Sequence, residues 1–240
     1  MRFQRHRADV RDPRSPPGTG KTTTILALIS RLRKPRTPIL VCAPSNAAVD
    51  EIATRLLSGV RNAKGNVTRP TVVRIGDSTA ITSKLLPHFI NNLVNDKLHG
   101  HTRITSSDRQ QTRLDILQKA DVVCATLSSA GQLRNQIKFK TVIIDEACQA
   151  TEVATLIPLT LECEKAILIG GKDFQATFFV HRLLSHSKTD TKQLPPTVIS
   201  QTASDLLYVR SLFERLAEQS RPDDISLLRC VSSQPSANPS

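Results

Sequence analysis

The 240-residue chain has no tryptophan, one tyrosine and seven phenylalanines. So few rings exclude an aromatic stacking platform as the main grip on bases. Long apolar runs are also missing. Stretches such as 39–43 and 142–144 fall well short of the roughly 20 residues a membrane-spanning helix needs. The first fifteen residues carry arginines but no apolar segment, so no secretory signal is expected there. Cys42, Cys124, Cys148, Cys163 and Cys230 lie far apart and form no CxxC pair. That argues against a disulfide framework or zinc site and for a reducing compartment. Acidic residues are the scarcer charge, 21 against 33 lysines and arginines, leaving a net +12. The excess suits a polyanionic partner, but it counts only if a specific motif says the same. The 39% hydrophobic and 22% charged residues are ordinary for a globular chain, which argues against wholesale disorder.

Helix-like and strand-like stretches alternate. Residues 22–32 place Ile25, Leu26, Leu28, Ile29 and Leu32 on one side of a helix that Pro35 ends. A buried-type strand is expected over 39–43, then a helix over 46–57 with Ser45 as N-cap. Residues 121–126, 141–145 and 166–170 are further short apolar runs. This order predicts an α/β domain built on a mostly parallel, buried sheet. Residues 60–117 break the rhythm with one strand candidate at 71–75, a mixed helical stretch at 81–98 and a polar segment at 100–113. They read as a small, mostly helical inserted subdomain. The Ser/Pro-rich stretch 231–240 reads as a disordered tail.

Ser15-Pro-Pro-Gly-Thr-Gly-Lys-Thr22 fits the phosphate-loop pattern GxxxxGK[ST], with Ser15 in place of the first glycine. Gly18 and Gly20 let backbone N–H groups curl around phosphate oxygens without a Cβ clash. Lys21 reaches the β- and γ-phosphates, and the Thr22 hydroxyl suits Mg²⁺. The helix that follows directs its positive end at the anion. Pro17, Thr19 and Thr23 complete the cradle. A matching acidic pair stands after the apolar run 141–144: Asp145 for the metal, and Glu146 to orient and deprotonate the attacking water. ATP and Mg²⁺ are the expected cofactors.

With these residues in place, a wider resemblance is visible. PPGTGKTTTI, ILVCAPSNAAVDEIATRLL, DVVCATLSSAG, FKTVIIDEACQATE and KQLPPTVIS resemble, in order, the motifs of superfamily 1 helicases. They are most similar to the senataxin-like branch, related to the nonsense-decay helicases. The resemblance implies a P-loop NTPase fold of RecA-like type over 15–230. It also implies a nuclear motor acting on single-stranded RNA or DNA, or on RNA–DNA hybrids, with no membrane role. It gives Gln193 the task of sensing the γ-phosphate and Gln149 a structural or coupling role. Pro44, Ser45, Asn46 and Thr126 would contact the nucleic-acid backbone, positioning a strand without reading its sequence.

Three departures bear on these expectations. Residues 1–14 form an irregular basic N-terminus. Val10 is the only aliphatic side chain between Asp9 and Arg14, and Pro13 is unsuited to a central strand, so the strand before the phosphate loop is expected to be missing or poorly formed. The family pattern Gly-Asp-x-Lys-Gln-Leu-Pro-Pro is split by residues 171–189, whose removal gives the unbroken ILIGDTKQLPPTVIS. Gly171-Lys172 can be encoded as GGT-AAG, which contains an intron donor sequence. The segment reads as a retained intron, with a genuine loop insertion as the alternative. Finally, Arg229-Cys-Val-Ser-Ser-Gln stands where the family's QYRMHP-type motif is expected. The expectation is a chain without the second RecA-like domain, whose arginine finger contributes about 10³–10⁵ in rate in other NTPases. It therefore reads as a truncated ATP-dependent helicase, with a catalytically inactive fragment that at most binds nucleotide, or a basic nucleic-acid-binding module, as the alternatives.

Overall fold

In the computed structural model, residues 21–61, 65–101, 103–170, 176–181 and 210–219 are described. Eight strands occur among them: β1 Ile39–Ala43, β2 Val60–Arg61, β3 Val67–Thr68, β4 Val72–Ile75, β5 Val122–Thr126, β6 Thr141–Ile144, β7 Lys165–Gly170 and β8 Ala176–His181. The helices are α1 Lys21–Leu32, α2 Asn46–Ser58, α3 Ile90–Leu98, α4 Ser106–Lys119, α5 Glu152–Leu159 and α6 Leu212–Gln219. The main sheet runs β4-β5-β1-β6-β7-β8, and β2 pairs with β3 in a separate ribbon. From β4 to β7 all pairings are parallel, while β8 lies antiparallel on β7.

β1, β4 and β5 are buried along their whole length, and so is β6 after Thr141. Strands covered on both faces need apolar side chains at every position, so ILVCA, VVCAT and TVII show no alternation. α1 buries Ile25 and Ile29 completely, and α2 buries Val49, Ile52, Ala53 and Leu56. The i, i+3, i+4 spacing of these residues lays one apolar stripe of each helix on the core.

The α/β order expected from the sequence is present, with strand bounds shifted by one residue at most for the five parallel strands. Two placements differ from expectation. Val72–Ile75, inside the stretch assigned to an inserted subdomain, is an integral strand of the main sheet, and all four of its residues are buried. The polar segment at 100–113 contains the start of α4. Its apolar content is low, and a capping box stands in for a strong stripe. The Thr105 hydroxyl accepts from the Asp108 N–H at 3.1 Å, and the Asp108 carboxylate accepts from the Thr105 N–H at 2.8 Å. Within 171–189, residues Ala176–His181 form β8. The N-terminal segment 1–14, the phosphate loop before Lys21, Gln193 and the tail 231–240 lie outside the described residues.

α6 is fixed in three ways. Ser211 and Glu214 form a reciprocal cap, with the Glu214 N–H donating to Ser211 Oγ at 3.1 Å and the Ser211 N–H to Glu214 Oε2 at 3.0 Å. Arg215 then clasps Glu152 of α5, through Nε to Oε2 at 2.9 Å and Nη2 to Oε1 at 2.6 Å. Phe213 packs over the end of β7. There Gly170 leaves no room for a side chain: a Cβ would lie 2.5 Å from Cys148 Sγ and 3.3 Å from Phe213.

Candidate nucleotide site and strand-binding edge

Parallel strands deliver all their C-terminal ends to one edge, where α/β sheets form their sites. β1 delivers Pro44, Ser45 and Asn46 there, β5 delivers Thr126, β6 delivers Asp145 and Glu146, and β7 delivers Gly170. α1 is followed by a tight turn into β1, and Arg33, just past its end, pairs with Asp121 at 3.6 Å beside the start of β5. Lys21, Thr22 and Thr23 therefore form the end of α1 remote from the edge where the strands start.

Asp145 is 9% exposed, and its N–H still pairs with the Cys42 carbonyl at 2.8 Å, which fixes it against β1. Its Oδ1 accepts the Glu146 N–H at 2.9 Å. Glu146 itself has left-handed backbone, φ 52° and ψ 34°. For a residue with a Cβ that conformation costs about 1–2 kcal/mol, and strain of this kind collects at functional sites. The Glu146 carbonyl accepts from the Gln149 N–H at 2.8 Å, closing the short 3₁₀ turn Ala147–Gln149 that holds the strained residue in place. Gln149 is exposed and Cys148 is buried under α6.

This donor set suits Mg²⁺ held together with a nucleotide. Magnesium is typically bound through one or two carboxylates, with substrate phosphates and waters supplying the rest. Asp145 offers one such carboxylate, and no group of three or more His, Cys, Asp or Glu residues able to hold a metal occurs among the described residues.

Ser45 caps α2, its Oγ accepting the Ala48 N–H at 3.1 Å, and it remains exposed. Asn46 is held by a residue the sequence reading did not single out. Arg74 of β4 is 0% exposed and donates Nη2 to Asn46 Oδ1 at 2.8 Å, Nε to Asp50 Oδ1 at 2.8 Å and Nη1 to the Ile75 carbonyl at 2.5 Å. The second Asp50 oxygen accepts the Thr82 N–H at 2.7 Å. With its oxygen occupied, Asn46 keeps its NH₂ group as the donor end. Gly76 lets the chain pass this guanidinium, since a Cβ there would come 3.2 Å from Arg74 Nη1. An arginine inside the run V-V-R-I signals a need for a buried acid without saying which one; the fold supplies Asp50, one turn beyond Asn46.

Thr126 differs from Ser45 and Asn46. It is 9% exposed, donates to Ser129 Oγ at 2.8 Å and accepts the Ser129 N–H at 3.2 Å. Its hydroxyl is therefore committed to shaping the turn after β5. Cys42 and Cys124, beneath this edge, are fully buried thiols. Burial raises both, Cys124 to about 12, so neither is a nucleophile at neutral pH.

The AAA-domain family matches residues 13–114 and 100–173. The chain is 39% identical over 204 residues to the Arabidopsis thaliana protein named probable helicase MAGATAMA 3, an alignment covering 81% of this chain and 22% of that protein. It is 36% identical to ATP-dependent helicase NAM7 of Saccharomyces cerevisiae, covering 84% of this chain and 20% of the relative. Helicase SEN1 of the same yeast is 30% identical, over 86% of this chain and 13% of SEN1. The chain thus spans about a fifth or less of the length of these relatives.

Proposed function

Since this chain belongs to the AAA-domain family, within the senataxin-like branch of the superfamily 1 helicases, we propose that it is a nucleotide-binding unit of an ATP-driven motor. The motor moves on single-stranded RNA or DNA, RNA–DNA hybrids included, and works in the nucleus. The observation that carries the reading is the end of β6, where a nearly buried Asp145 is followed by a strained Glu146 on the edge that also presents Ser45 and Asn46.

Lys21, with the loop Pro17, Gly18, Thr19 and Gly20, holds the phosphates of ATP. Thr23 supports the cradle from the first turn of α1, while Thr22 and Asp145 hold Mg²⁺. When bound, the metal offsets the negative charge that builds on the phosphates. Glu146 orients a water and takes its proton, and its fixed backbone keeps the carboxylate aimed. Gln193 senses the γ-phosphate. Pro44, Ser45 and Asn46 contact the strand backbone, and Thr126 supports that contact through its turn. No helix among the described residues is long and apolar enough to cross a membrane.

Equilibrium binding of a fluorescent ATP analogue tests the reading. Wild type binds in Mg²⁺, and Lys21→Ala weakens binding at least about tenfold, the loss of one charge-assisted phosphate contact. Equal binding by the variant overturns it. The +12 charge favours one other reading, a basic nucleic-acid-binding module without nucleotide chemistry. That reading predicts salt-sensitive RNA binding together with no ATP binding at all.

A further inference from the structure

α3 and α4 pack side by side next to the turn that leaves β5 and ends near Gln136. Between them lies an open cleft of about 330 Å³. Two arginines of α4, one helical turn apart, line it, and neutral amides hold both. Arg109 Nη1 donates to Asn95 Oδ1 at 2.9 Å. Arg113 Nε donates to Gln136 Oε1 at 2.9 Å, and its Nη1 reaches Asn91 Oδ1 at a loose 3.5 Å.

No carboxylate among the described residues pairs with either guanidinium. The neighbouring acids are engaged elsewhere: Asp115 pairs with Lys97 and Lys119, and Asp108 caps its own helix at Thr105. Arg113 is half-buried, and desolvation lowers its pKa from the usual arginine value. Amide oxygens orient these guanidinium groups but leave their charge uncompensated, so the cleft is built for an anion.

The turn beside the cleft connects it to the sheet edge. Gln136 donates Nε2 to the Gln132 carbonyl at 2.6 Å, and Gln132 belongs to the 3₁₀ helix Ser129–Leu133, whose first residue is tied to Thr126. An anion in the cleft therefore sits on the same continuous element as the end of β5.

We propose that this cleft binds the phosphodiester backbone of the nucleic acid, carrying the strand from the ends of β1 and β5 onto α4. The inference rests on the nucleic-acid reading above. Two planar donor forks one helical turn apart suit successive phosphates, and the surrounding asparagines and glutamine suit sugar hydroxyls. Contacts of this class position a strand and are indifferent to its sequence.

The test is fluorescence anisotropy of the full chain with a fluorescein-labelled oligouridine over a salt series. Arg109→Gln and Arg113→Gln each lower the slope of log K against log salt by about 0.7, the loss of one single-strand phosphate contact. That corresponds to about fivefold weaker binding each at 0.1 M salt. Arg55→Gln, at the far end of α2, makes the same charge change and should leave the slope unaltered. Far-UV circular dichroism checks folding, and the exposed Arg109→Gln keeps the test decisive if Arg113→Gln unfolds the chain. Suppose Asn46→Ala weakens RNA binding and the arginine variants change neither affinity nor slope. Then the cleft assignment is wrong and the sheet-edge reading stands. No RNA binding by wild type defeats both. Arginine variants that lose an oligoglutamate peptide but retain RNA give the cleft to a protein partner and overturn the proposal.

Discussion

Replacing Arg74 by methionine keeps most of the side-chain length and removes three donors from the core. Asp50 is then left 5% exposed with its charge unpaired, retaining only the Thr82 N–H. Breaking a buried ion pair from one side costs about 3–5 kcal/mol, a large part of the 5–15 kcal/mol that ordinarily separates folded from unfolded chains. With a urea m-value of about 1–3 kcal/mol/M, the midpoint falls by about 1–5 M. Far-UV circular dichroism is the natural readout in a chain without tryptophan. The double variant Arg74→Met/Asp50→Leu removes both charges and should recover at least half the loss. The Thr82 N–H left without its acceptor accounts for about 1–3 kcal/mol of what remains. Asn46, no longer held, should also bind single-stranded RNA more weakly in the double variant. A single-variant loss below about 1 kcal/mol, or a double variant as unstable as the sum of its parts, refutes the reasoning.

Three further outcomes follow from the same structure. Gly170→Ala places a methyl group 2.5 Å from Cys148 Sγ and 3.2 Å from the Cys148 backbone nitrogen, so the turn must shift. It should destabilise the chain by about 1–3 kcal/mol and accelerate hydrogen exchange in α6, whereas unchanged exchange would mean that α6 does not rest on this contact. Deleting residues 171–189 rejoins Gly170 to Asp190 and restores the order that places Gln193 after β7. ATP affinity should rise at least about tenfold, the worth of one regained phosphate contact, and a deletion that folds without any gain contradicts the reading of that segment as foreign to the site. The Asp108 carboxyl is held below the usual carboxylate range, first by the Thr105 N–H and then by its hydroxyl. Its stabilisation of α4 is therefore present above the unfolded value of about 3.9 and is lost as pH falls through the lower folded value. The Thr105 amide resonance should inflect below that unfolded value, and an inflection at or above it contradicts the cap.

The sheet was legible in the sequence because buried parallel strands are continuous apolar runs between turn-forming residues. β1, β5 and β6 could be delimited from ILVCA, VVCAT and TVII alone. α4 was not legible, because a helix that buries only Ile116 and Leu117 has little periodicity to detect. The edge residues Ser45, Asn46, Asp145 and Glu146 were readable from motif order, and Ser45 is indeed the cap of α2. What composition and spacing do not carry is the pairing of distant polar groups. Arg74 and Asp50 are 24 residues apart, and Arg113 and Gln136 are 23 apart, and only folding brings each pair together. Thr126 shows the converse: a residue in the right motif position whose hydroxyl the fold commits to its own turn.

The central claim, that Glu146 is held to activate a water beside bound nucleotide, is tested most directly by single-turnover hydrolysis of radiolabelled ATP with the chain in excess. Binding is measured in the same samples for wild type and Glu146→Gln. The variant should bind ATP as wild type does and hydrolyse it about 10²–10⁴-fold more slowly, the usual contribution of a positioned general base. Hydrolysis by Glu146→Gln at the wild-type rate would contradict the account.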